Sequence, residues 1–258
     1  MKFNRSFNTD RPKQASSSEM IYGVHPILEA LRNQKELDRI LILDGSKSEQ
    51  LFEIKQLAKE QGIYIQYVPI QKLNKITTKN HQGIIAWLSM VTYHKVEDLL
   101  PNIFEKGEEP LFIMLDRVTD VRNMGAIARS AACAGAHAII IPDKGSARIN
   151  EDAIKSSAGA LMSIPVCREH NLKDTIDYLK DSGITLLACS EKADQNLFDT
   201  EISGPLCIIM GSEEEGISPE YMKKADLKVK IPMYGTISSL NVSVAAGIVL
   251  FDVMRKRV

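Results

Sequence analysis

Leu206-Cys207-Ile208-Ile209-Met210-Gly211-Ser212-Glu213-Glu214-Glu215-Gly216 is an unbroken apolar run followed by an acidic turn bounded by glycines. A strand with one wet face alternates apolar and polar residues. An unbroken run is the pattern of a strand covered on both faces, as in a parallel sheet. Apolar strand-length runs recur at residues 111–115, 138–141 and 184–188, the last broken only by Thr185, and a further strand reads at 227–231, where Lys228 and Lys230 alternate with apolar residues; helical spacing lies between them at residues 124–134, 151–162, 172–180 and 239–257. Such alternation predicts an α/β domain over residues 110–258, built on a parallel sheet with helices on both faces.

Upstream, the spacing predicts a helix over residues 21–32 and a strand over 39–43. A second helix, capped by Ser46, runs to about residue 60 and ends at Gly62, and strands follow at 63–68 and 84–88. This is a second, small α/β domain, assigned to residues 19–92. Residues 93–109 read as a linker with a short helix inside it: Pro101, Gly107 and the charges Glu105, Lys106, Glu108 and Glu109 interrupt any regular pattern. Residues 1–18 set Lys2, Arg5, Arg11 and Lys13 against Asp10 and read as a disordered basic arm, either a solvated tail or an RNA contact.

The chain has 258 residues, 44% hydrophobic and 25% charged, with a formal net charge of −1. That is the mixture of a globular protein with a sizeable core. The charge excludes a wholly cationic nucleic-acid binder but leaves room for a local basic patch. Cys133, Cys167, Cys189 and Cys207 form no CxxC pair, and the histidines show no metal spacing, so no metal site is expected. Three of the thiols sit in apolar runs and read as buried free cysteines of a reducing compartment. No secretory signal core and no membrane-length apolar run is present, and a cytoplasmic protein is expected.

In open parallel sheets, ligands bind beyond the carboxyl ends of the strands. Three such loops stand out. After residues 111–115, Asn123 is placed to cap a helix in which Gly125 allows close packing and Arg129 lies one to two turns along. The fork of an arginine suits a phosphate; a capped helix with a solvent-facing arginine is the structural alternative. After residues 206–210, Gly211 and Gly216 bracket Glu213, Glu214 and Glu215, three mutually repelling carboxylates. This is either a ligand loop or a solvated acidic turn, and it is not a phosphate loop, since no Lys-Ser or Lys-Thr follows. After residues 227–231, Pro232-Met233-Tyr234-Gly235-Thr236-Ile237-Ser238-Ser239-Leu240-Asn241 leads into a helix. Its amides and hydroxyls suit an adenosine and a sugar, while a capped packing helix explains Ser243–Gly247 as well. No GxGxxG or GxSxG is present, so neither a dinucleotide fold nor a nucleophile elbow is signalled.

Taken together, Asn123-Met124-Gly125-Ala126-Ile127-Ala128-Arg129-Ser130-Ala131, then Ile209 through Gly216, then Ile231-Pro232-Met233 with Ser238 through Ala245, resemble the three motifs of the SpoU-type RNA ribose methyltransferases of the trefoil-knot class. The resemblance is close over residues 111–258. Met20-Ile21-Tyr22-Gly23-Val24-His25-Pro26 and His81-Gln82-Gly83-Ile84-Ile85-Ala86 resemble the family's substrate-binding domain, itself similar to a ribosomal-protein fold. The chain departs from the pattern at Val121-Arg122, where many members have proline and a variable residue.

The resemblance implies a deeply knotted domain, S-adenosylmethionine as methyl donor, a homodimer, and ribosomal RNA as partner. It further implies 2′-O-methylation of a guanosine ribose in large-subunit ribosomal RNA. A transfer-RNA ribose methyltransferase and a non-catalytic RNA-binding assembly factor are the alternatives, and a small-molecule α/β enzyme is the most remote. By motif correspondence, Arg129 anchors the phosphate and lowers the hydroxyl's pKa, while Asn123, Ser239 and Asn241 orient the ribose. Glu213 holds Asn123 or its own loop in place, and the backbone at Gly211, Ile231 and Leu240 cradles the adenosine. No metal is implied.

Overall fold

The structure, a computed structural model, describes residues 20–257, so the arm expected over residues 1–18 lies outside the described residues. The front unit runs β1 (Met20–Tyr22), α1 (Val24–Arg32), β2 (Leu37–Leu43), α2 (Glu49–Glu60), β3 (Tyr64–Val68), α3 (Ile70–Ile76) and β4 (Ile84–Leu88). Its sheet has the order β1-β4-β2-β3, with β4 antiparallel to both neighbours and β2 parallel to β3. Helices α1 and α2 bury Ile27, Leu31, Ile54 and Ala58 on one face, and α3 covers the other with Leu73.

The large unit begins with β5 (Tyr93–His94), α4 (Val96–Glu105), β6 (Leu111–Leu115), α5 (Val121–Cys133), β7 (Ala138–Pro142) and α6 (Glu151–Ser156). It continues with β8 (Val166–Glu169), α7 (Leu172–Asp181), β9 (Thr185–Cys189), β10 (Gln195–Asn196), β11 (Leu206–Met210), α8 (Pro219–Lys224), β12 (Leu227–Lys230) and α9 (Val242–Arg257). Eight strands form one sheet in the order β10-β12-β9-β11-β6-β7-β8-β5, parallel at every pairing. Side chains alternate across β6: Leu111, Ile113 and Leu115 pack under α5, α6 and α9, while Phe112 and Met114 pack under α4 and α7. Both faces are therefore dry, which is why the strands read as unbroken apolar runs.

Several elements differ from the sequence reading. The segment at residues 93–109 is built into the large unit. β5 extends the sheet beside β8, and α4 buries Val96, Leu100 and Ile103, so the polar residues read as a linker are the wet side of an amphipathic helix. Ile21 lies in β1 opposite Ala86, and helix α1 starts only after Gly23, at φ 90°. Ser48, not Ser46, caps α2, its Oγ accepting from Leu51 N at 3.1 Å, while Ser46 Oγ donates to Leu43 O. The helix expected over residues 151–162 breaks after α6, where Ala158 and Gly159 take φ of 50° and 85°. The last helix begins at Val242, so Ser239 and Asn241 precede it.

Candidate active site

The carboxyl ends of β6, β9, β11 and β12 meet at one rim, and the loops that leave them are tied together. Asp116, just beyond β6, is buried; one carboxylate oxygen accepts from both the N and the Oγ of Ser218 at 2.6 and 2.7 Å, and the other accepts from Arg117 Nε. This joins the loop after β6 to the loop after β11. Asp120 then caps α5, its Oδ1 accepting from Arg122 N and Asn123 N at 2.9 and 2.8 Å. The cap expected at Asn123 therefore sits three residues earlier. Asn123 is the capped residue, and its side chain is left to point off the helix.

That side chain meets the other two loops. Glu213 Oε1 accepts from Asn123 Nδ2 at 2.7 Å and from Asn241 Nδ2 at 2.8 Å, and Asn241 Nδ2 also lies 3.0 Å from Asn123 Oδ1. Asn241 Oδ1 accepts from Ser243 N and Oγ, which fixes the amide at the start of α9. One residue from the first turn of α5 and one from each of two loops, far apart in sequence, thus form a single network around a carboxylate. Opposite it the acidic loop doubles back on itself, with Ser212 and Gly216 exchanging backbone hydrogen bonds. A Cβ at Gly211 would collide with the backbone of Gly216 and Ile217, so only glycine fits there.

Two cavities flank the network. One, of about 320 Å³, is bounded by Met210, Gly211, Glu213, Ile231, Ser239 and Leu240, and Asn241 also reaches it. The other, of about 250 Å³, is bounded by Arg117, Asp120, Asn123, Ser212, Glu213 and Glu215. Ser212 and Glu213 belong to both and form the partition. The first cavity has the chemistry of a nucleoside site: an apolar floor, a backbone approach kept open by Gly211, and residues 232–241, whose amides lie outside helix and sheet. Its size suits a drug-sized ligand. The residues present fit S-adenosylmethionine.

Six of the expected site residues, Glu213, Ser239, Asn241, Gly211, Ile231 and Leu240, border the first cavity. Asn123 borders the second. Arg129 borders neither. Six positions beyond Asn123, it stands two-thirds of a turn around α5 and about 9 Å along it, exposed, with no hydrogen bond or ion pair to it among the described residues. The sequence reading missed Cys189, Ser190 and Glu191, which border the first cavity just after β9. The strand-end rule that flagged the other three loops applies to them equally. Burial, and then Glu191, push the Cys189 thiol up to about 12, so it stays a neutral wall. The reading also missed Arg117, a non-glycine residue at φ 58° whose guanidinium spans Asp116 and Glu215.

Residues 110–251 match the SpoU rRNA methylase family, and residues 20–94 match the substrate-binding domain of RNA 2′-O-ribose methyltransferases. A 23S rRNA (guanosine-2′-O-)-methyltransferase of Escherichia coli is 38% identical over 93% of this chain and 99% of its own. A TrmH-family tRNA/rRNA methyltransferase of Bacillus subtilis is 35% identical over 93% of this chain and 96% of its own. Among solved structures, an AdoMet-bound rRNA methyltransferase of Sinorhizobium meliloti covers 92% of this chain and 86% of its own, with a TM-score of 0.59 at 25% identity. Among the described residues no helix is long and apolar enough to cross a membrane. The motif loops that meet around Glu213, the substrate-binding unit in front of them and these likenesses place the chain in the SpoU family of S-adenosylmethionine-dependent RNA 2′-O-ribose methyltransferases.

Proposed function

We propose that this chain methylates the 2′-oxygen of a guanosine ribose in large-subunit ribosomal RNA. The observation that carries the reading is the pair of cavities sharing Glu213 as a partition: one sized for the methyl donor, the other bordered by Asn123 and open to an acceptor nucleotide. S-adenosylmethionine supplies an activated methyl group on a sulfonium. The protein's part is alignment, because two reactants held in register gain most of what the reaction needs. Asn123 and Asn241, fixed by Glu213, orient the acceptor ribose; Ser239 completes the rim; Gly211, Ile231 and Leu240 shape the donor cradle.

The ribosomal target draws support from the E. coli rRNA enzyme, which aligns over 93% of this chain at 38% identity; the B. subtilis tRNA/rRNA relative aligns over the same share, so the front unit is common to both readings. The chain's resemblance to the SpoU class also carries the trefoil knot as part of this proposal.

We further infer a homodimer, with Arg129 acting at a site completed by the second copy. Val244 and Phe251, 50% and 53% exposed, lie on one stripe of α9 with Gly247 between them. A Cβ at Gly247 would lie 3.6 Å from Ser130 Oγ, and Ser130 adjoins Arg129 on α5. The exposed apolar stripe and the free guanidinium therefore lie on two helices that pack against each other at Gly247 and Ser130. An arginine is too basic to serve as a proton acceptor. Its role is to anchor a phosphate and favour the ionised hydroxyl.

The test is methyl transfer from labelled cofactor to ribosomal RNA and to transfer RNA, both from cells lacking this protein, with the alkali-resistant linkage mapped afterwards. Label at one guanosine of large-subunit RNA is expected. Label in transfer RNA alone overturns the target and keeps the chemistry.

A further inference from the structure

The two units meet at a cluster of cations that the methyl-transfer network does not use. Asp38, at the end of the front sheet, faces three arginines: Arg39 Nε at 3.2 Å, Arg148 Nε at 3.4 Å and Arg168 Nη1 at 3.9 Å. Arg168 is buried and structural, donating to the carbonyls of Asp38 and Leu37 across the junction. Arg39 and Arg148 are only partly covered, and Lys144 is exposed. A cavity of about 180 Å³ opens between the units, bordered by Arg39, Tyr64 and Gln66 on one side and by Asp143, Lys144 and Ser146 on the other. Asp143, the remaining carboxylate on this rim, is engaged by His170 Nδ1 at 2.8 Å through Oδ2, while its buried Oδ1 has no hydrogen-bond partner among the described residues.

The cluster is short of negative charge. Burial and the neighbouring Arg39 pull the Arg148 guanidinium below its ordinary value. Two of the cations also lie over rings of the front unit, Arg148 at 4.6 Å from the Trp87 centroid and Lys144 at 5.4 Å from that of Tyr64. One carboxylate, Asp38, is shared among three arginines and cannot cancel them all, and an aromatic face orients a cation and leaves it charged. In a chain of net charge −1, this is a marked local excess of positive charge.

The cluster is also connected to the site. Ala147 N donates to Val118 O at 2.8 Å, so the loop that carries Lys144 and Arg148 lies against the loop after β6. A Cβ at Gly145 would stand 3.6 Å from Arg117 Cγ, and Arg117 borders the second cavity beside Asn123 and Glu213. One side chain separates the junction from the acceptor cavity.

We propose that the domain junction is a phosphate-binding step for the RNA strand beside the acceptor nucleotide, with Arg39, Lys144 and Arg148 as its ligands. The inference rests on the second cavity being the acceptor's. The bound strand spans both units, so RNA itself holds them in the orientation the reaction needs. Phosphate contacts of this kind position an RNA without reading its sequence.

The test uses the full chain and the triple variant Arg39→Gln, Lys144→Gln, Arg148→Gln, with a labelled single-stranded oligouridylate and with deproteinised large-subunit ribosomal RNA. Anisotropy over a salt series is expected to show affinity lowered about tenfold or more. The slope of log affinity against log salt should fall by about 2, at about 0.7 per phosphate contact on a single strand. The KM for ribosomal RNA should rise while kcat at saturating RNA and cofactor affinity hold. A folded triple variant with unchanged slope and affinity overturns the proposal, as does a loss confined to thermal stability, which would make the cluster a latch between units. If the triple variant does not fold, Lys144→Gln alone must lower the slope by about 0.7, and an unchanged slope there overturns the proposal too. Binding with these slopes by a wild-type protein that methylates no ribosomal RNA would support the junction and sink the functional reading. Wild-type KM for ribosomal RNA in the triple variant would do the reverse.

Discussion

Removing the Glu213 side chain should disorganise the acceptor side of the site while leaving the fold intact. Its Oε1 receives two amide N–H bonds, at 2.7 and 2.8 Å, from residues on two different loops. A hydrogen bond to a charged acceptor is worth about 1.5–3 kcal/mol net, and on this exposed carboxylate the low end applies, giving about 3 kcal/mol for the two. In Glu213→Ala the bond between Asn241 Nδ2 and Asn123 Oδ1, at 3.0 Å, is present before and after the change and cancels. The loss of about 3 kcal/mol lowers kcat/KM about 150-fold. In Glu213→Gln a neutral oxygen still accepts both bonds at about half the strength. The loss is about 1.5 kcal/mol, or about tenfold. Single-turnover methyl transfer from labelled cofactor, with cofactor affinity measured separately by calorimetry, reads both. An alanine variant within twofold of wild type would refute the network's role. A glutamine variant as impaired as the alanine one would show instead that the negative charge acts at the reacting atoms.

Three further outcomes are expected. Gly211→Ala must push the acidic loop off its own start, losing the paired Ser212–Gly216 bonds and adding overpacking, for about 3 kcal/mol in all; calorimetry should find cofactor binding abolished or the melting temperature lowered by several degrees. Phe251→Asp should yield a monomer by sedimentation, and Arg129→Ala should abolish transfer while retaining cofactor binding; a dimeric Phe251→Asp variant or unchanged turnover in Arg129→Ala would refute the assignment of Arg129 to a site completed by the second copy. Burial raises the thiols of Cys167 and Cys189 from the ordinary 9.0 to about 12, so the folded state holds these protons more tightly than the unfolded chain. Their contribution to stability is fully present below about pH 9 and is lost as the pH climbs toward 12, which denaturant melts at rising pH will show as a decline that Cys167→Ala lessens.

The large sheet was legible because its strands are buried on both faces: residues 111–115 and 206–210 have the same bounds as β6 and β11. The site was legible at the level of loops, since strand ends and glycines mark them. The contacts were not. Only the family resemblance offered Glu213 as a partner for Asn123; the residues around Asn123 read as a cap for α5, because the choice depends on Asp120 occupying the cap and on two distant loops arriving beside it. Residues 93–109 misled for a related reason: an amphipathic helix containing Pro101 has as many charges as a linker, and only its partners Phe112 and Met114 reveal its apolar side. Arg129 matches the motif in sequence yet stands off its own cavities, and helix geometry alone accounts for that.

The position of β11 sets a schedule for synthesis. It lies between β6 and β9 in the finished sheet, yet it follows both along the chain. Until it emerges from the ribosome, two largely apolar strands have open edges facing the same gap, and such edges pair readily with the wrong neighbour. The large unit therefore has a vulnerable interval that ends with a single insertion. Because Gly211 and Glu213 ride on that same strand's exit, the insertion that seals the sheet also delivers the loop between the two cavities. A nascent chain stalled before β11 would be a holdase client, and cofactor competence should follow only after residues 231–242, which complete the donor cavity, have also emerged.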